Sequence, residues 1–200
     1  MKQNLDLEND FYGKKQEPKK SSKFWGFIKE FFGVILISLV IVIPIRYYLV
    51  QPFVVRGASM EPGFLDGEYL VVSEIEYRIN DPERGDVIVF KYPKEPSEYY
   101  IKRIVGLPGE RIAIRGGKVT IFNAQHPTGL VLNESEYLPN GRITRGDLSK
   151  TLGDDEYFVL GDNREASSDS RVWGILPEEL IIGRAWIRAY PLNRFTVFSE

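Results

Sequence analysis

Between Phe31 and Ile45 the chain reads FFGVILISLVIVIPI, without one charged side chain. Such a run has two stable places, a protein core or a lipid bilayer. A buried helix of a soluble domain usually keeps a polar face, and no such face is visible here. The run is short for a bilayer, which takes roughly 17–25 residues, but its flanks extend it. Phe24, Trp25 and Phe27 precede it, and Tyr47, Tyr48, Leu49 and Val50 follow. Aromatic side chains suit the headgroup region, and Lys29 and Arg46 can reach the interface from within the helix. A cleaved leader would need a shorter apolar core and a small-residue cleavage site; no A-x-A pattern precedes Ser59. The expectation is one retained transmembrane helix over residues 24–50.

The residues around the run give an orientation. Residues 1–23 are polar, with Lys14, Lys15, Lys19, Lys20 and Lys23 crowded next to the apolar segment. Basic residues collect on the cytoplasmic side, so residues 1–23 are expected to be a cytoplasmic tail. Residues 51–200 then form an extracytoplasmic domain, with Ser59 close to the membrane surface.

Composition removes several classes of function. A net charge of -2 lacks the basic bias of a nucleic-acid binder. The absence of cysteine removes disulfides, thiolate zinc sites and thiol nucleophiles. With His126 as the single histidine, a transition-metal site is not expected.

Beyond Gln51 the pattern changes to short β-type segments separated by turns. Phe53–Val55, Tyr69–Val72, Asp86–Phe90, Tyr99–Val105, Arg111–Ile114, Lys118–Ile121, Tyr157–Leu160 and Arg184–Ile187 read as strands. Gly116-Gly117 is a two-residue hairpin signal, and Pro108-Gly109 specifies a type II turn. The expected fold is mainly β, an antiparallel sheet domain. Residues 122–156, rich in Gly, Asn, Pro and Asp, read as a less regular insertion. One short helical turn is expected after Pro177.

Three stretches could carry chemistry. Arg56-Gly57-Ala58-Ser59-Met60-Glu61-Pro62-Gly63 presents one hydroxyl among small residues just beyond the apolar run. By itself such a stretch is most often a turn or a helix N-cap. Lys102 interrupts an apolar strand, and alternation across a strand turns either Lys102 or Arg103 inward. Burial lowers a lysine pKa toward neutrality, which makes an amine a competent base where a guanidinium never is. Gly161-Asp162-Asn163-Arg164 through Ser167, Ser168, Asp169, Ser170 and Arg171 follows a strand. It reads either as a surface loop laced with weak ion pairs or as a rigid loop that orients the amine.

Together, Ser59-Met60-x-Pro62, Tyr100-Ile101-Lys102-Arg103-Ile104-Val105-Gly106-Leu107-Pro108-Gly109 and Gly161-Asp162-Asn163-Arg164 through Arg171 closely resemble the type I signal peptidases of bacteria. Arg84-Gly85-Asp86-Val87 resembles that family's intervening strand, and the likeness spans roughly residues 24–195. The resemblance implies a membrane-anchored serine endopeptidase of the plasma membrane. It would remove signal peptides from exported preproteins, with lipid and signal peptide as its partners and with no cofactor or metal.

By the same resemblance Ser59 is the nucleophile and Lys102 the general base. Ser167 would orient the lysine, with Ser168 adjacent. Asp169 and Arg171 would form a supporting ion pair, and Asp162 would stand behind them. The Ser59 N–H would bind the oxyanion; the serine that some members carry two residues upstream is replaced here by Gly57. Phe53, Val55 and Ile101 would line small pockets for a substrate strand. Trp173 and Trp186 could instead meet lipid. Two rival readings share parts of the pattern. A self-cleaving Ser–Lys protease would carry a DNA-binding helical domain at its N-terminus. A tethered β module that only binds peptide would not need Ser59 and Lys102 together.

Overall fold

The computed structural model describes residues 21–48, 50–139 and 142–198. The chain divides into two units between Ile43 and Pro44. The expected cytoplasmic tail falls almost entirely outside the described residues.

Helix α1 runs from Ser21 to Tyr48. Its stretch Trp25–Ile43 is 19 residues long, and none of its side chains is buried. At about 1.5 Å per residue that stretch measures close to the ~30 Å of a bilayer's hydrocarbon core. The helix is apolar on every side, so no face is reserved for water.

The second unit is built of antiparallel strands. They are β1 (Val50–Val54), β2 (Tyr69–Ser73), β3 (Val87–Tyr92), β4 (Glu95–Gly106), β5 (Arg111–Arg115), β6 (Lys118–Phe122), β7 (Leu130–Val131), β8 (Leu148–Thr151), β9 (Glu156–Leu160), β10 (Leu176–Pro177), β11 (Ile181–Tyr190) and β12 (Thr196–Val197). The larger sheet has the order β1-β2-β11-β3-β4-β9-β10, with β12 added beside β11. A second, four-stranded sheet has the order β7-β6-β5-β8. Period-two patterning drives β6, where Val119 and Ile121 are buried while Lys118 is exposed. Gly116 and Gly117 join β5 to β6 with φ of 56° and 80°, the left-handed pair that a tight hairpin requires.

Strand β4 lies in the larger sheet and leads by a turn into β5 of the smaller one. Its residues up to Arg103 pair with β3, and from Arg103 to Gly106 it also pairs with β9. It ends where Gly106 meets β5: a β-carbon there would lie 2.7 Å from Ile112 Cγ1, so only glycine lets the strands approach so closely. Val105, Ile112, Ile114, Val119, Ile121, Leu152, Phe158 and Leu160 form one core between the sheets.

Segment 122–156 is more regular than its composition suggests. It supplies β7 and β8, which extend the β5–β6 hairpin on both sides. The helical turn after Pro177 is present at Glu178–Leu180. Three further short turns were not legible in the pattern: Glu76–Arg78, Leu192–Arg194 and α2 (Ser170–Trp173), which Asp169 caps by accepting the Arg171 N–H. Trp173 does not face outward. It is 9% exposed and packs against Phe90 and Tyr92, because α2 turns its indole into the core of Ile88, Ile104, Val159 and Leu176. Trp186 is 41% exposed.

Candidate active site

The serine stretch leaves β1 and makes a compact turn held from below by its own side chains. Met60, next to Ser59, is fully buried with Phe64, Val55, Leu70, Val87 and Ala185. Burying one such side chain is worth roughly 1.5–3 kcal/mol, so the residue beside the hydroxyl anchors it to the core. The turn closes on itself at its base. Gly57 donates its N–H to Asp66 Oδ1 at 2.7 Å, and the Gly67 N–H reaches the Val55 carbonyl at 2.9 Å. Gly57 sits at φ 81°, a conformation a side chain would resist.

The carbonyls of the turn are bound from outside it. The Ser59 carbonyl accepts the Asn163 N–H at 3.0 Å. Arg142 Nη1 donates to the Glu61 carbonyl at 2.9 Å. Arg188 Nη2 donates to the Gly63 carbonyl at 2.6 Å, and Arg194 Nη2 reaches the Pro62 and Gly63 carbonyls at 3.3 Å. Arg188 and Arg194 are themselves drawn to the buried carboxylate of Glu68, at 3.0 and 3.1 Å. The Ser59 N–H forms no hydrogen bond with another described residue.

Lys102 approaches from β4. Its Nζ lies 2.9 Å from Ser59 Oγ and 2.8 Å from the Ile101 carbonyl, and 5.3 Å from the centroid of the Tyr100 ring. Only 3% of the residue is exposed. Burial lowers its pKa from the ordinary lysine value to about 8, against the pull of Asp169 and Asp162, which raise it. Those two carboxylates are occupied elsewhere. Asp162 is gripped by Arg103 through Nε at 2.8 Å and Nη2 at 2.7 Å. Asp169 is gripped by Arg171 through Nε and Nη2, both at 2.8 Å, and accepts the Gly161 N–H at 3.1 Å. Each aspartate thus has an arginine beside it to offset its field, and desolvation decides the state of the amine.

The alternation expected on β4 holds, with a refinement. Lys102 turns to Ser59, and Arg103 turns the other way with only 14% of its side chain exposed. Its Nη1 donates to the Gly85 carbonyl at 2.7 Å, and its guanidinium lies 4.2 Å from the centre of the Tyr137 ring. The Ser167 Oγ is buried and makes no hydrogen bond with another described residue, and the second Lys102 bond goes to the Ile101 carbonyl. The hydroxyl sits beside Gly161, where a β-carbon would collide with it.

A groove of about 620 Å³ opens at the pair. Phe53, Val55, Ile101, Tyr99, Leu70 and Ser168 are among its walls, together with Ser59 and Lys102. Val55 is 4% exposed and belongs to the core as well as to the groove. The groove lies between two strand edges that have no partner there among the described residues. Strand β1 pairs with β2 alone, and β4 pairs on its second side only from Arg103 onward. At the outer end the rings of Phe53 and Tyr99 meet with centroids 5.4 Å apart. His126 is exposed in the segment after β6.

The sequence reading missed Arg103 as the partner of Asp162, and missed Arg142, Arg188 and Arg194 altogether. Arg103 was visible as the neighbour of a singular lysine. The other three lie 81, 125 and 132 positions from the carbonyls they bind, and no local motif announces them.

Comparison with known proteins gives concordant results. The profile of the family described as "Signal peptidase, peptidase S26" matches residues 28–190. The chain is 37% identical to a protein named signal peptidase I from Leptolyngbya laminosa, over 89% of this chain and 85% of that one. It is 33% identical to a probable signal peptidase I-1 from Synechocystis, over 86% and 87%. It is 30% identical to signal peptidase IB of Staphylococcus aureus strain COL, over 84% and 92%.

Proposed function

Since the chain belongs to the signal peptidase family, peptidase S26, we propose that it cuts signal peptides from exported preproteins with Ser59 as nucleophile and Lys102 as general base. Membership makes it a serine peptidase. The observation that carries the assignment of residues is the 2.9 Å separation of Lys102 Nζ from Ser59 Oγ, with the lysine only 3% exposed.

The chemistry is acyl transfer. Neutral Lys102 takes the proton of Ser59 as Oγ bonds to the scissile carbonyl carbon. The carbon–nitrogen bond breaks, and the protonated lysine returns that proton to the departing amine. A water then attacks the ester, again giving its proton to Lys102, and Ser59 recovers its hydrogen as the acyl group leaves. A positioned base is worth roughly 10²–10⁴ in rate. The free Ser59 N–H supports a role in holding the oxyanion. The Gly57 N–H is committed to Asp66 and cannot serve as a second donor in this conformation. Asp162, Asp169 and Arg171 hold the loop behind the amine, and Ser167, with Ser168 next to it in the chain, is the hydroxyl proposed to orient it.

The substrate binds as a strand. An extended peptide between the open edges of β1 and β4 would gain backbone hydrogen bonds on both sides, and alternate side chains would enter the groove. Phe53, Val55 and Ile101 leave room for small apolar residues. Helix α1 is the membrane anchor, and the lysines before it support an N-terminus in the cytoplasm.

The test uses the full chain in detergent with one preprotein, and the new N-terminus is read by mass spectrometry. Cleavage after a small residue is expected, and none with Ser59→Ala or Lys102→Met. Wild-type cleavage by either folded variant would sink the assignment.

A further inference from the structure

The role of segment 122–156 follows from what its side chains hold. Glu134 takes Arg164 by Nη1 at 3.2 Å and Nη2 at 2.6 Å, and Thr144 Oγ1 accepts from the same guanidinium. Tyr137 stacks on Arg103. Arg142 goes further. Its Nη1 donates to two backbone carbonyls at once, Glu61 at 2.9 Å and Asp162 at 3.1 Å. Glu61 lies two residues after Ser59. Asp162 lies one residue before Asn163, whose N–H binds the Ser59 carbonyl. Among the described residues, Arg142 is the side chain that bonds the serine turn and the Gly161–Arg164 loop together.

We propose that Arg142 is a positioning residue for Ser59, a staple between the two loops that meet behind the hydroxyl. A charged donor shared by two carbonyls fixes their separation. That separation sets the Asn163–Ser59 bond, and the bond sets where Oγ stands relative to Lys102. The proposal rests on the reading of Ser59 as nucleophile, but Arg142 touches neither the groove nor Lys102. Its effect therefore falls on the chemical step, while substrate binding between β1 and β4 is left alone.

The experiment compares wild type with Arg142→Ala, Arg142→Gln and Arg142→Lys, as full chains in detergent, by kcat, KM and thermal melting. A displacement of about 1 Å at a reacting group can cost on the order of 100-fold. The alanine variant is therefore expected to lose roughly 10- to 100-fold in kcat at a KM close to wild type, the signature of an interaction absent from ground-state binding. Gln keeps an N–H donor and should lose less. Lys keeps a charge that two carbonyls can share and should recover most of kcat. If the alanine variant does not fold, Gln and Lys carry the test. Wild-type kcat in folded Arg142→Ala or Arg142→Gln overturns the proposal, as does a loss confined to KM or one explained by the unfolded fraction. An inactive wild type would instead refute the peptidase reading and leave the Arg142 contacts to be tested by melting alone.

Discussion

Gly161 lies against the carbonyl of Ser59 so closely that a β-carbon on it would come within 3.0 Å of that oxygen and of Ser167 Oγ. The Ser167 hydroxyl could rotate away, but the Ser167 β-carbon, 2.6 Å from the same point, and the Ser59 carbonyl cannot without moving the backbone. Gly161→Ala is therefore expected to strain the Asn163–Ser59 hydrogen bond and displace Oγ from Lys102. A fall in kcat on the order of 100-fold, with the variant still folded by circular dichroism, is the expected result. Undiminished kcat would show that the two loops yield independently.

The pH dependence follows from the amine. The base is the uncharged form, and burial brings the Lys102 pKa down to about 8. At low substrate the rate should therefore rise with pH, half-maximal near that value, and level off above it. A pH–rate profile for kcat/KM checks this. A flat profile between about pH 6 and 10 would remove Lys102 from the role of titrating base.

Burying the lysine also costs stability, and the sign can be worked out. The folded pKa lies below the unfolded one, so the unfolded chain binds more protons between them and stability rises with pH in that window. The penalty is complete below about pH 8 and disappears as the pH rises to the ordinary lysine value of 10.5. Lys102→Met should thus melt above wild type at pH 7, with an advantage that shrinks between pH 8 and 10. An inactive variant that melts lower at pH 7 would contradict this.

Asp162 is fully buried, and its partner Arg103 has only 14% of its side chain exposed. Removing one member of such a pair leaves the other uncompensated, at about 3–5 kcal/mol. Asp162→Ala should lower the melting temperature by on the order of 10 °C. Arg103→Ala should do the same, and the double variant should lose less than the sum. Strict additivity in that cycle would mean the two side chains are not coupled.

Much of this arrangement was legible in the sequence because its signals are local. A lysine inside an apolar strand, a Pro-Gly turn and a Gly-Gly hairpin each depend on a few neighbouring residues. Gly109 at φ 74° bears out the turn that ends the lysine strand. The carbonyl bonds that fix the serine turn were hidden, since Arg142, Arg188 and Arg194 reach it only after distant segments have packed. Segment 122–156 looked irregular because β7 and β8 are 2 and 4 residues long, too short to show alternation. Trp173 was misjudged because four residues of α2 carry no readable period, yet they decide which way the indole points. The second partner of the Lys102 amine, the main-chain carbonyl of Ile101, was also hidden, since a strand carbonyl carries no side-chain signal.

The unpaired borders of β1 and β4 have a cost in solution as well as a use. A strand edge left open for a guest is equally open to another copy of the same protein, the route by which sheets stick together. This chain carries the residues that discourage such contact. Pro52 stands within β1, and Pro96 stands in β4 between Glu95 and Glu98. Proline withholds an amide and like-charged glutamates repel a second copy, so two molecules meeting edge to edge gain little. Replacing these residues with threonine or valine would convert a selective opening into a seed for oligomers.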